Sequence, residues 1–72
     1  MVNTELLNKR IEASGLKRNF ISSELNISRQ TLYSKINNHT EFMSSEVQRL
    51  CELLGIKYLT EKEAIFFAKS VD

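Results

Sequence analysis

Residues 26–38 read NISRQTLYSKINN, and the helix they can form has two very different faces. Ile27, Leu32 and Ile36 follow one another at spacings of five and four, which gathers them on one side of a short helix. The other side carries Arg29, Gln30, Tyr33, Ser34 and Lys35, a row of hydrogen-bonding groups that suits a nucleic-acid groove or a protein partner. Ser28 stands where a capping hydroxyl belongs, and the asparagines at 37 and 38 mark the exit.

Upstream of this stretch, residues 17–25 form a second amphipathic segment that buries Phe20 or Ile21 together with Leu25. Asn26 then falls where a sharp turn needs a left-handed residue, a conformation glycine adopts best and asparagine next best. A first helix is predicted over residues 4–14, capped by Asn3 or Thr4, stopped by Gly15 and buried along Leu7 and Ile11. Downstream, NNHTEF reads as a loop. A fourth helix follows from Ser44 or Ser45 to Leu54, with Val47, Leu50, Cys51 and Leu54 inward and Gly55 as its end. Thr60-Glu61-Lys62-Glu63 has the form of a capping box, so a short fifth helix is predicted to start there. The run AIFFAKSV reads as helix at its start with an extended end, which makes residues 60–72 a C-terminal helix or arm.

The expectation is one all-α, five-helix domain spanning the 72 residues. The two glycines sit at helix ends and proline is absent, which is the punctuation of a helical chain. A core of this size yields only a few kcal/mol of net stability. No disulfide can add to it, because Cys51 is the only cysteine. A lone cysteine and no signal-like N-terminus point to a reducing cell interior, where Cys51 is a small core residue. No apolar run approaches the roughly 18 residues of a membrane span. The formal charge is only +1, but it is unevenly spread: residues 1–39 carry six bases against three acids, and residues 40–72 four bases against six acids. The N-terminal half is therefore the candidate electrostatic footprint, with few cations to offer phosphates.

Two short helices joined by a tight turn, the second bearing the polar row, match the helix-turn-helix pattern. The stretch ELNISRQTLYSKINN resembles the helix-turn-helix of the Cro and lambda-repressor-like phage repressor superfamily: a turn ending in Ile27, then Ser-Arg-x-Thr, an apolar residue and an Asn-rich exit. EFMSSEVQRLCELLGI is similar to that family's fourth helix, so the likeness covers roughly residues 4–56, with the motif at about 17–37. It implies a lambda-repressor-like domain in the bacterial host cytoplasm, either a homodimer or a monomer, acting on transcription. Within the superfamily, the size and the FFA-containing tail resemble the phage antirepressors. That likeness implies a specific partner, the N-terminal DNA-binding domain of the phage repressor, either alone or in a joint complex on DNA. The alternative implication is a stand-alone Cro-like repressor of double-stranded operator DNA. The chain departs from the family pattern at Lys17 and Arg18, where a capping oxygen and a glutamine are usual, at Ser22 in place of alanine, and at Asn26 in place of glycine.

On either implication, Ser28, Arg29, Gln30, Tyr33 and Ser34 are the residues of the recognition helix that face DNA or the repressor. Lys17, Arg18, Asn19, Lys35, Asn37, Asn38 and His39 flank it as candidate phosphate contacts. The competing reading is a solvated helix face, which any small helical protein must have somewhere. Phe66 and Phe67, with Ile65 and Val71, give more apolar surface than one side of a short helix can bury. Either one of them closes the core or they form a protein interface. His39 has no second metal-type ligand at a useful spacing, and there is no nucleophile-base set and no phosphate-cradling glycine loop. Neither a metal, a cofactor nor an enzymatic activity is expected.

Overall fold

The Asn3 side chain accepts a hydrogen bond from the Leu6 N–H at 3.1 Å and so opens helix α1, Thr4–Ser14, in the computed structural model, which describes residues 1–68. Gly15 closes it at φ 73°, in the left-handed region where glycine carries no Cβ penalty. The helices that follow are α2, Arg18–Glu24, α3, Arg29–Ile36, α4, Ser44–Leu54, and α5, Leu59–Phe66. Among the described residues there is no strand. The extended end expected for residues 69–72, Val71 included, lies outside the described residues.

The apolar stripe of each helix meets the others in one core. Leu7 and Ile11 of α1, Ile21 of α2, Leu32 and Ile36 of α3, Leu50 and Leu54 of α4, and Ile65 and Phe66 of α5 are buried together. Helix α1 is central, packing on α3, α4 and α5, while α2 packs on α3 and α4. Of the two candidates in α2, Ile21 is inside and Phe20 is out. The reason is periodicity: four residues beyond Ile21 stands Leu25, whereas four beyond Phe20 stands Glu24, which is ion-paired to Arg49 of α4. Cys51 is half-buried against the core, and burial pushes its thiol pKa up, which favours the protonated form.

Three polar clasps fix how the helices sit. Arg10 donates from Nη2 to the Leu54 carbonyl at 2.8 Å and lies 3.1 Å from Glu61, joining α1 to the end of α4 and the start of α5. Lys35 Nζ meets Glu46 Oε1 at 2.5 Å, and the same oxygen accepts the Met43 N–H at 2.8 Å. The segment before α1 is stitched on both sides. Asn38 Oδ1 accepts the Val2 N–H at 2.7 Å and its amide donates to the Val2 carbonyl at 2.8 Å, while the Asn3 N–H donates to the Ile65 carbonyl at 2.7 Å and the Ala68 N–H to the Met1 carbonyl at 3.0 Å.

One expected boundary is corrected. Helix α5 starts at Leu59 with Tyr58 as its cap residue, which makes no side-chain capping bond, so Thr60 does not cap it. Its first turn closes from the Tyr58 carbonyl to the Lys62 N–H at 3.0 Å, and Glu61 is drawn to Arg10. A tertiary clasp overrides the local capping pattern. No helix among the described residues is long and apolar enough to cross a membrane.

Candidate nucleic-acid or protein interface

Helix α3 owes its orientation to the turn before it. Asn26 stands at φ 57°, and the Ile27 N–H returns to the Ser22 carbonyl at 3.0 Å, so the chain reverses tightly between α2 and α3. Ser22 is small and buried, its hydroxyl donating to the Asn19 carbonyl at 3.0 Å, and this lets the two helices approach. Ser28 caps α3: its Oγ accepts the Thr31 N–H at 3.0 Å and donates to Thr31 Oγ1 at 2.9 Å. That hydroxyl is engaged in holding the helix start.

With Leu32 and Ile36 inward, Arg29, Gln30 and Tyr33 project outward as an exposed set, Tyr33 being 64% accessible. The Tyr33 ring meets His39 edge-on, with centroids 6.4 Å apart, and the His39 N–H donates to the Ser34 carbonyl at 2.8 Å. Ser34 is half-buried on the flank of this face. Lys17 and Asn19 are exposed beside it at the start of α2, and Arg18 is half-buried there. Lys17 makes no side-chain cap, so α2 begins without a capping oxygen.

The flanking set is smaller than the sequence predicts. Lys35, expected among the phosphate contacts, is only 9% exposed and paired with Glu46, which removes it from the surface. Its position explains this: it follows Leu32 by three residues and precedes Ile36 by one, on the edge of the apolar stripe and opposite the first turn of α4. The Asn38 side chain is committed to Val2, and the Asn37 amide donates to the Tyr33 carbonyl at 2.9 Å. Three cations near α3 remain without an ion pair among the described residues: Lys17, Arg18 and Arg29.

These cations surround two shallow clefts. One, of about 220 Å³, is lined by Asn8, Arg18, Arg29, Leu32, Tyr33, Ile36 and Asn37. The other is bounded by Leu16, Lys17, Arg18, Asn19 and Arg29, so the two arginines border both. Asn8 of α1 orients the Arg18 guanidinium, accepting from Nη2 at 2.9 Å. No local pattern singles out Asn8 beyond its place beside Leu7, on the flank of the buried stripe. Phe20, exposed on α2, was likewise expected inside as readily as out.

Phe66 and Phe67 part company. Phe66 is buried and meets Phe42 edge-on at 6.1 Å, closing the core, whereas Phe67 is 59% exposed. Phe67 lines a cleft with Met1, Glu41 and Phe42 at the far end of α5. Among the described residues no group of three His, Cys, Asp or Glu side chains could hold a metal ion. No protein-family model, curated protein or solved structure matches the chain.

Proposed function

We propose that α2, the turn at 25–28 and α3 form a helix-turn-helix, and that the chain is a phage antirepressor. In this reading it binds the N-terminal DNA-binding domain of its phage repressor and so controls the choice between lysogeny and lysis. In size and in its FFA-containing tail it resembles the modulator of repression of temperate lactococcal phages.

The observation that carries the reading is the makeup of the α3 face. It presents an exposed Tyr33, Arg29 and Gln30 with, among the described residues, only three cations free of ion pairs nearby. Tyrosine and arginine are the residues that anchor small, tight protein interfaces. Strongly salt-dependent duplex binding draws on roughly six to ten phosphate contacts, more than this surface offers. Calorimetry of the chain against its purified repressor tests the proposal. A 1:1 complex is expected, with Tyr33→Ala weakening it roughly tenfold or more while leaving the helical circular dichroism unchanged. No heat with the wild type would end the antirepressor reading.

A second reading has its own support: among the described residues no acidic side chain lines either cleft beside α2 and α3. That fits a stand-alone Cro-like DNA binder. A gel shift on the neighbouring phage promoter separates the two. Retardation by the chain alone favours the Cro-like reading, and loss of the repressor's own shift favours the antirepressor.

A further inference from the structure

We propose that Arg18 and Arg29 clamp one carboxylate, an aspartate or glutamate side chain of the repressor, in the cleft between α1 and α3; this rests on the antirepressor reading. Arg18 and Arg29 line the same two clefts, and neither has an acidic partner among the described residues. Arg10, Arg49 and Lys35, by contrast, each have one. Two guanidinium groups bordering one concavity repel each other, and a single anion between them relieves that repulsion while taking bidentate hydrogen bonds.

Asn8 acts here as a positioning residue. Its bond to Arg18 Nη2 restricts the guanidinium of a half-buried side chain, leaving the remaining donors for a ligand. Restraint of this kind lowers the entropy lost when the ligand arrives.

The shape of the cleft selects a side-chain carboxylate over a duplex phosphate. The exposed Tyr33 ring lines it, with the all but buried Leu32 and Ile36 at its floor. The methylenes of a glutamate or aspartate can lie against that ring while the carboxylate meets the arginines. A backbone phosphate carries no apolar stem and stays at the rim of a groove.

The test is a double-mutant cycle by calorimetry, using the full chain and intact repressor. Arg18→Gln and Arg29→Gln should each weaken the complex roughly tenfold, and the double variant should be scarcely weaker than either single one, because both remove the grip on one group. Asn8→Ala should weaken it by a smaller factor. In the repressor, one Asp→Asn or Glu→Gln change should reproduce the loss and abolish any further effect of Arg29→Gln. Thermal melts of the four variants near that of the parent show that the fold is kept. Additive losses, or no acid in the repressor whose amide substitution matters, would overturn the clamp while leaving the antirepressor reading intact. No binding by the wild type would remove both. Equal loss of DNA retardation by both single variants, with repressor affinity unchanged, would reassign the arginines to phosphates.

Discussion

At φ 57° and φ 63°, Asn26 and Asn38 both hold a backbone conformation that side chains with a Cβ rarely adopt, yet they do so for different reasons. Asn26 is a hinge in the chain, and its side chain makes no hydrogen bond among the described residues; Asn38 carries two side-chain bonds to Val2. Glycine satisfies the first need and not the second. Asn26→Gly should therefore leave the melting temperature unchanged or slightly higher, and a clear loss would mean that the amide does more than permit the turn. Asn38→Gly keeps the backbone and deletes the clasp, so chemical denaturation should show a loss of about 1–3 kcal/mol. The hinge at Asn26 was legible because a turn between two apolar stripes demands it. The clasp was not, since its partner lies 36 residues away and no local pattern announces such a contact.

At the scale of the elements, the tie between α3 and α4 is sensitive to pH. Burial on its own pushes the Glu46 carboxyl up, but the hydrogen bonds from Lys35 and the Met43 N–H, with the attraction of the Lys35 charge, outweigh it and hold the group below its ordinary value of 4.5. A carboxylate whose folded pKa is depressed adds stability above its unfolded pKa and loses that contribution as pH falls through the folded one. Glu46→Gln should destabilise the protein at neutral pH, because Lys35 is left buried without a counter-charge. The gap between variant and parent should then narrow as melts are taken into acid below pH 4.5. A gap independent of pH would show that packing, not charge, accounts for the loss. The extent of α1 was readable from Asn3 and Gly15, and the end of α4 from Gly55. The burial of Lys35 and the early start of α5 were not, because each is decided by a side chain on another helix, Glu46 for one and Arg10 for the other.

Across the whole molecule, the adjacent phenylalanines at the end of α5 divide structure from surface. Phe66→Ala should cost roughly 3–5 kcal/mol, a large share of what a domain this small possesses, and leave it largely unfolded on warming. Phe67→Ala should change stability by no more than about 0.5 kcal/mol, since its ring is mostly in solvent. Equal costs would mean that Phe67 supports the core from outside. The sequence placed apolar excess here correctly but could not assign it, as either ring suits a core reached from one side of a short helix. The face of α3 was read more fully, because the apolar stripe at 32 and 36 turns Arg29, Gln30 and Tyr33 outward, Lys35 being the exception.

The stitching of residues 1–3 to Asn38 and α5 has a kinetic consequence. Three backbone amides, those of the neighbours Val2 and Asn3 and of the distant Ala68, are protected by bonds within one patch: to the Asn38 side chain, the Ile65 carbonyl and the Met1 carbonyl. None can be freed for exchange while the others hold the segment in place, so they belong to one cooperative opening. In deuterated buffer followed by NMR, the three protons should be lost at rates that converge once corrected for intrinsic chemistry. Asn38→Gly should accelerate all of them together while leaving the amides of Leu50 and Leu54 at their parental rates. A rise at Val2 alone would show that the patch opens piecemeal and that α5 docks without help from the segment laid across it.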